Sequence, residues 1–370
     1  MRRLFGLFAL APLTGFLALP FYAPVAAGGI PHIPQYYSVG REPWAPVLTH
    51  PRPTSAASFS FYIAANLFDS STQYPYIVMG TPQTQSSNVI EFGTFQPPYF
   101  SALAAGAKLL VVLVEDSYFL EYNLGNGTLL AEIQIPGAAQ GIATDSQGTT
   151  YVSTQSSSGQ TGVLVYPYGA TSPSYTITNG LPSPGLLALD GHDNLYVSNG
   201  NNIVVFPPGA TTPVRTISQG ISSPGLMTFD KAGRLIVYNS GSNAVTVYEE
   251  KHRAPLSTIT DGISGPSAIV VGPTETLYVA NFSGKNITEY DHEHATLSRT
   301  IATDTNGPRS IATDDKDNLY EFVLGYKSGR AFVAYTFPHQ SVKPAGKPWV
   351  FFQRPYLFDE FLIATTGPAW

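Results

Sequence analysis

One stretch of this chain, residues 185–208, recurs several times and limits the folds that the sequence can adopt. It reads GLLALDGHDNLYVSNGNNIVVFPP, so that short apolar runs alternate with segments rich in Asp, Asn and Gly. The polar segments 190–194 and 198–202 are typical of tight turns, because their side chains bond their own backbone and glycine accepts a positive φ. Four runs are typical of β-strands: 186–189, 195–197, 203–206 and 214–217. The stretch therefore predicts a four-stranded antiparallel meander.

The repeat has a regular period. An acidic residue stands six positions before an aromatic or aliphatic residue of the second strand in four copies, and glycine replaces it in a fifth. These pairs are Asp145/Tyr151, Asp190/Tyr196, Asp230/Ile236, Gly272/Tyr278 and Asp314/Tyr320. Successive copies start 45, 40, 42 and 42 residues apart. A period of about 40–50 residues with four strands per repeat is typical of β-propeller blades.

The number of blades follows from where the inner strands begin. A weaker copy covers residues 102–122, and inner strands are predicted to start near residues 101, 140, 185, 225, 267 and 309. The sequence thus predicts an all-β propeller of six four-stranded blades. Further strands are predicted over 58–66, 74–79 and 88–94, and we expect 88–94 to be an outer strand that closes the ring from the N-terminal side. Seven blades is the alternative, if 58–94 forms a blade of its own.

The chain resembles the NHL-repeat and related six-bladed β-propeller proteins, of the type that bacteria export. The matching residues are Ser183-Pro184-Gly185, Ser223-Pro224-Gly225, the Asp-x-x-x-Asn-Leu-Tyr-Val run at 190–197, and the NIVVFPPG run at 202–209. The resemblance covers about residues 100–337. It implies a fold but no single reaction, because this family includes both enzymes and protein-binding platforms. The catalytic and calcium-binding set of the lactonase-type propellers has no match here residue by residue.

The N-terminal segment predicts export. Arg2 and Arg3 precede an apolar run over 4–19, and the small residues 25–27 resemble a cleavage site, so residues 1–27 are interpreted as a signal peptide. The product would be periplasmic, cell-surface or secreted. The alternative is an uncleaved membrane anchor, since residues 4–27 are almost all apolar. Membrane contact is expected only in that case.

The remaining boundaries follow from composition. Residues 28–57 are predicted to be a Pro/Gly-rich extended linker, 58–337 the propeller, and 338–370 an aromatic C-terminal tail that packs on it. An exposed aromatic patch for a partner is the alternative for the tail.

The net charge of −6 gives no support for nucleic-acid binding, and the absence of cysteine excludes disulfides and thiolate chemistry. We expect a monomer.

Ligand-binding candidates lie where the strands of a propeller reach the mouth of the central channel. They are Gln140, Asn199, Asn239, Asn281 and Arg309. The three asparagines share one offset after the second strand, so they are interpreted either as amides that face a polar ligand or as side chains that cap their own turns. Arg309 is a cation where other copies carry Gly, Ser or Gln. It is predicted to bind an anion or to pair with Asp304 or Glu275.

Evidence for a metal site is weaker. Glu115 and Asp116 are adjacent acids on one loop, and His292 and His294 lie two apart, a spacing that suits zinc or copper on a strand. An exposed polar turn is the other interpretation of 291–294.

We therefore predict an exported non-enzymatic propeller without a cofactor, which binds a protein, peptide or glycan at one mouth of its channel. The alternative is a metal-assisted hydrolase of the lactonase or esterase type, or a lyase, with Ca²⁺ as its cofactor.

Overall fold

The fold consists of β-strands joined by turns. The structure, a computed structural model, describes residues 60–68, 73–81, 86–91, 100–105, 108–114, 117–123, 128–155, 161–293, 295–303, 307–314, 316–324, 331–345, 349–353 and 357–366. Within these ranges 28 strands form seven four-stranded sheets, and every strand pair is antiparallel. Among the same residues, no helix has the length and hydrophobicity that a membrane span requires. The all-β, propeller-like class predicted from the sequence agrees with this arrangement.

We number the sheets in chain order. Sheet 1 contains β1 (Ser60–Phe68), β2 (Gln73–Thr81), β3 (Ser86–Glu91) and β28 (Leu357–Thr366). Sheet 2 contains β4 (Phe100–Ala105), β5 (Leu109–Val114), β6 (Tyr118–Asn123) and β7 (Leu129–Gln134). Sheet 3 contains β8 (Ala138–Thr144), β9 (Thr150–Gln155), β10 (Gly162–Tyr166) and β11 (Tyr175–Ile177). Sheet 4 contains β12 (Pro184–Leu189), β13 (Leu195–Asn199), β14 (Asn202–Phe206) and β15 (Arg215–Ile217).

The last three sheets follow the same plan. Sheet 5 contains β16 (Pro224–Phe229), β17 (Leu235–Asn239), β18 (Ala244–Tyr248) and β19 (Ser257–Ile259). Sheet 6 contains β20 (Pro266–Val271), β21 (Thr276–Asn281), β22 (Asn286–Asp291) and β23 (Thr296–Ala302). Sheet 7 contains β24 (Ser310–Thr313), β25 (Leu319–Leu324), β26 (Ala331–Phe337) and β27 (Trp349–Gln353).

Sheets 2 to 7 are meanders of four consecutive strands, whereas sheet 1 combines the two ends of the described chain. Its order is β28-β1-β2-β3, with Ile63 opposite Ile363 in the β1–β28 pair. The count of six predicted from the sequence is not confirmed, because residues 60–91 supply three strands of an additional sheet. The alternative count of seven agrees with the number of sheets. The predicted outer strand 88–94 overlaps β3, which is the edge strand of sheet 1.

The first strands of sheets 2 to 7 contact one another in turn, and β28 takes the same position in sheet 1. These contacts join β4, β8, β12, β16, β20, β24 and β28 in that order, and β28 also contacts β4. The tail segment that the sequence interpretation placed on the propeller contributes β27 to the edge of sheet 7 and β28 to sheet 1. Residues 1–57, which include the predicted signal peptide and linker, lie outside the described residues.

The apolar core lies between neighbouring sheets. Val197 and Phe206 of sheet 4 pack with Tyr151 and Val163 of sheet 3, while Tyr196, the preceding residue of β13, packs against sheet 5. Successive side chains of a strand point to opposite faces, so a strand with a sheet on each side needs apolar residues at consecutive positions. This explains the unbroken apolar runs of the repeat. Complete burial of a side chain such as Phe206 stabilises the fold by about 1.5–3 kcal/mol.

The repeated aspartates hold the turn between the first and second strands. Oδ1 of Asp190 accepts hydrogen bonds from the backbone N–H groups of His192 and Asn194, both at 2.9 Å. Asp145 and Asp314 accept the same two bonds from the residues two and four positions later. Asp230 accepts the second of them, from Arg234. The acidic residue that marks the repeat in the sequence is therefore a turn-capping residue.

Candidate functional site

Each meander has two ends. We call the end that carries the turns between second and third strands, together with the connections from one sheet to the next, the upper end. The lower end carries the turns between first and second strands and between third and fourth strands. This division follows from the antiparallel strand order of sheets 2 to 7. The candidate residues from the sequence fall at both ends.

The three predicted asparagines lie at the upper end, where the second strands of sheets 4, 5 and 6 finish. Asn199, Asn239 and Asn281 are all buried. Each Oδ1 accepts a hydrogen bond from a backbone N–H in the connection that leads into the same sheet. The donors are Ser183 at 2.8 Å, Ser222 at 3.0 Å and Ser264 at 2.8 Å.

The amide nitrogens of these asparagines are also engaged within the fold. Nδ2 of Asn239 donates to Thr246 Oγ1 at 2.6 Å, and Nδ2 of Asn281 donates to Thr288 Oγ1 at 2.9 Å. Nδ2 of Asn199 donates to the Gly180 carbonyl oxygen at 3.2 Å. Both polar atoms of each side chain thus have partners within the fold, and each Oδ1 holds the connection into its own sheet instead of the turn that follows the asparagine.

Two other predicted residues, Gln140 and Arg309, are exposed at the upper end. Gln140 lies at an irregularity in β8 between Ala139 and Gly141, and its Nε2 donates to the Ala139 carbonyl at 3.1 Å. Arg309 immediately precedes β24, and its backbone N–H donates to the Phe322 carbonyl at 2.9 Å. The backbone of sheet 7 therefore fixes the base of the Arg309 side chain, while the side chain itself stays accessible.

The Arg309 guanidinium stacks on an aromatic ring from the neighbouring sheet. Its central carbon lies 4.3 Å from the centroid of Phe282, which belongs to the turn after β21 of sheet 6. Among the described residues, no carboxylate lies within ion-pair distance of this guanidinium. Glu275, one of the two predicted partners, lies at the lower end near Arg234. The other, Asp304, is outside the described residues.

Two serine hydroxyl groups tie neighbouring sheets together at this end. Ser153 Oγ of sheet 3 donates to the Gly185 carbonyl of sheet 4 at 2.5 Å, and Ser267 Oγ of sheet 6 donates to the Pro308 carbonyl at 2.7 Å. A Cβ at Gly185 would lie 2.7 Å from Ser198 Oγ, so a side chain here would displace that hydroxyl group.

A cluster of ionisable side chains lies at the lower end, between sheets 5 and 6. It consists of Asp230, Arg234, Glu275, His292 and Glu293. Asp230 Oδ2 lies 2.5 Å from Arg234 Nε and 2.9 Å from His292 Nε2. Arg234 also pairs with Glu293 and lies 3.7 Å from Glu275. His292 is 1% exposed, so the interpretation of its turn as exposed is wrong for this residue.

Ligand atoms of Asp230, Glu275 and His292 lie within 4.8 Å of one another, as metal ligands would. Arg234, however, already places a positive charge against both carboxylates. Burial raises the pKa of Asp230, but hydrogen bonds from His292 and Arg234 outweigh this effect and hold the pKa below its ordinary value. For Arg234, burial lowers the pKa, but the bonds to Glu293 and Asp230 outweigh burial and raise the pKa above its ordinary value. The arrangement is an ion-pair network with its own cation.

Sequence reasoning singled out His292 but missed its partners. Asp230 and Arg234 belong to the preceding repeat, 62 and 58 positions away along the chain, and a turn aspartate followed by Arg carries no metal signature. The other weak metal candidates, Glu115, Asp116 and His294, lie outside the described residues.

Two clefts also open at the lower end. One, of about 600 Å³, lies between sheets 4 and 5 and is lined in part by Tyr196, Val214, Arg215 and Arg253. The other, of about 580 Å³, adjoins sheets 6 and 7. Its lining includes Glu275, Glu289, Arg299 and His339. Arg299 binds the Glu289 carboxylate through Nε at 2.9 Å and Nη2 at 2.5 Å, so these two charges neutralise each other.

No protein-family model matches this chain, and no curated protein matches it. The resemblance to NHL-repeat proteins accordingly stays a prediction from the residues that carry it. The structure supports the broader statement, an all-β chain of repeated four-stranded sheets.

Proposed function

We propose that this chain is an exported, non-enzymatic β-propeller that binds a protein, peptide or glycan through an anionic group of that ligand, at the upper mouth of its channel. In this proposal the seven sheets are the blades of a closed ring, and β28 joins the three N-terminal strands to complete it. The contacts among the seven first strands support the ring. Export rests on the sequence of residues 1–27.

The observation that carries the proposal is the Arg309–Phe282 pair. A guanidinium that stacks on a ring is attracted to its face and keeps the N–H groups along its edge free for hydrogen bonds. Those groups match the two oxygens of a carboxylate or the oxygens of a sulfate or phosphate. Because Arg309 is exposed, stacked and held by its backbone, it presents an ordered cation to a ligand at low entropic cost.

Gln140 belongs to the same proposal. It is exposed at the same end as Arg309 and offers both a donor and an acceptor. In this proposal Gln140 bonds a hydroxyl or amide group of the ligand, and Arg309 binds the anion. The three asparagines stabilise the sheets and do not contact the ligand, because their side chains bond the connections that lead into their own sheets.

The test uses two immobilised panels: peptides with free or amidated C-termini, and oligogalacturonates with or without methyl esterification. We expect wild-type protein to prefer carboxylate-bearing members, and Arg309→Ala to weaken that binding at least tenfold. Lys285→Ala is the matched control, since Lys285 is an exposed cation in the turn that carries Phe282. Equal binding by wild type and Arg309→Ala would overturn the proposal.

A second candidate is a metal-assisted hydrolase or lyase, and the closeness of Asp230, Glu275 and His292 is the observation that favours it. Calcium in proteins takes six to eight oxygen ligands, whereas zinc accepts a set of imidazole and carboxylates. A zinc ion at this place would require Arg234 to leave the Asp230 carboxylate. The network as it stands therefore favours the binding scaffold.

A further inference from the structure

The cleft between sheets 4 and 5 combines an apolar floor with a cationic rim. Tyr196 and Val205 of sheet 4 form buried parts of its lining, and Val214 is 62% exposed. Arg215 of sheet 4 and Arg253 of the facing turn of sheet 5 lie on its rim. At about 600 Å³ the cleft has the size of small-molecule binding sites, which are mostly apolar with a few well-placed polar groups.

Among the described residues, neither guanidinium on this rim forms an ion pair with a carboxylate. Arg215 donates to the Tyr196 hydroxyl at 2.8 Å and to the His252 carbonyl at 3.2 Å, and both acceptors are neutral. Burial raises the pKa of Tyr196 to about 12, so its hydroxyl keeps its proton. Among the described residues, Arg253 has no acidic partner.

Two acids, Asp190 and Glu250, also line the cleft. Glu250 pairs with Lys251 at 2.9 Å. Asp190 is buried and accepts bonds from the His192 backbone and from the backbone and side chain of Asn194. With Lys251, the two guanidinium groups give the lining three cations against these two carboxylates, so its net charge is positive.

The next interface along the chain shows why this cleft differs. Between sheets 5 and 6, Arg234, His292 and Glu293 fill the corresponding space with the ion-pair network. Between sheets 4 and 5, Asn194 stands in the turn position of Arg234, and it bonds back to Asp190 instead of crossing to the neighbouring sheet. The space between the turns stays open as a result.

We infer that this cleft binds a small organic anion, with one carboxylate, sulfate or phosphate group on a compact apolar body. The anionic group contacts Arg253 and the free edge of Arg215, and the apolar body lies against Tyr196 and Val214. This site is at the lower end and is separate from the Arg309 site of the proposed function. It therefore stands or fails independently of that proposal.

The experiment is calorimetric titration of the full chain with naphthalene-2-sulfonate, with 2-naphthol and sodium sulfate as probes that lack the charge or the apolar body. We expect one molecule of the sulfonate to bind per chain, with at least tenfold weaker binding of either partial probe. Arg253→Glu should weaken sulfonate binding at least tenfold. The matched charge reversal Lys285→Glu, at the upper end, should leave it within twofold of wild type.

Two further variants locate the site. Val214→Thr, which replaces a methyl with a hydroxyl in the exposed part of the floor, should weaken the sulfonate about three- to tenfold. Arg309→Ala should leave its affinity unchanged. The inference is overturned if sulfonate binding is absent at millimolar concentration, if Arg253→Glu and Lys285→Glu weaken it equally, or if Arg309→Ala abolishes it. Unchanged circular dichroism and melting temperature would show that each variant is folded.

Discussion

The carboxylate of Asp317 in sheet 7 occupies the space into which a side chain at residue 272 of sheet 6 would project, and residue 272 is glycine. In the other copies of the repeat this position is an aspartate that caps its own turn. Asp317 accepts a hydrogen bond from Thr274 and lies 3.1 Å from His339 Nδ1. The copy without its own aspartate thus receives a carboxylate from the neighbouring sheet.

This relationship predicts that residue 272 tolerates no side chain while Asp317 is present. A Cβ at residue 272 would overlap Asp317 Oδ1, so Gly272→Ala should lower the free energy of unfolding by about 1–3 kcal/mol, as overpacking does. Urea unfolding, monitored by far-ultraviolet circular dichroism, measures this loss of stability. Gly225→Ala is the control, because a Cβ at residue 225 would make only ordinary van der Waals contacts. It should lower the free energy of unfolding by less than Gly272→Ala does. Gly169 is unsuitable as a control because its φ is positive.

Exchange of the two residues tests the same relationship in the other direction. In Gly272→Asp/Asp317→Gly the aspartate returns to the position that it holds in the other copies, and glycine suits the positive φ of 59° at residue 317. We expect each single variant to be less stable than the double variant, with a coupling of at least about 1 kcal/mol in a double-mutant cycle. Additive effects would show that the two positions act independently.

Asn239 is predicted to stabilise the fold without contributing to ligand binding. Asn239→Ala leaves the Ser222 N–H and the Thr246 hydroxyl without their partner inside the protein. The expected loss is about 1–3 kcal/mol of unfolding free energy. Asn201→Ala, which removes an exposed bond to Ser223, should cost less than about 0.5 kcal/mol. Normal stability together with weakened ligand binding in Asn239→Ala would contradict this assignment.

The Asp230 network predicts a pH dependence of stability. The pKa of Asp230 is held below its ordinary value by His292 and Arg234, so its stabilising contribution is complete above the unfolded pKa of about 4. That contribution is lost as the pH falls from there through the folded pKa. Wild type should therefore exceed Asp230→Asn in stability most at pH 7, with the difference shrinking below about pH 4. A difference that is constant from pH 3 to 7 would be inconsistent with the network.

Glu121 should behave in the opposite way. It is fully buried between sheets 2 and 3, Thr150 donates to its Oε1 at 3.1 Å, and its Oε2 has no partner among the described residues. Burial raises its pKa, so ionisation destabilises the fold as the pH rises above the unfolded value. Glu121→Gln should gain stability relative to wild type between pH 4 and pH 7. A relative loss over that interval, measured by the same urea titrations, would refute the assignment.

Much of the repeat architecture was predictable because it rests on local chemistry. The turn aspartate acts within four residues, and the second strand with its apolar run needs only its neighbours along the chain. The apolar runs recur in the copies of the repeat and the aspartate in four of them, so the period was visible.

Contacts between distant residues were not predictable in this way. The pairing of β1 with β28 joins segments about 300 residues apart, and neither strand carries the motif of the repeat. The same holds for Asp230 and His292, which meet because a turn of one sheet faces a different turn of the next. Gly272 appeared as a defect in the repeat because its compensating carboxylate lies 45 positions later in the sequence.

The choice between a binding scaffold and a metal-assisted enzyme depends on which cation neutralises the carboxylates near His292. In this account that cation is Arg234, at 2.5 Å from Asp230 Oδ2. The most direct measurement is elemental analysis of the exported wild-type protein after extensive dialysis, with His292→Ala beside it. We predict much less than one equivalent of zinc or calcium in both proteins. About one equivalent in wild type that disappears in His292→Ala would contradict the account and favour a metal-dependent hydrolase.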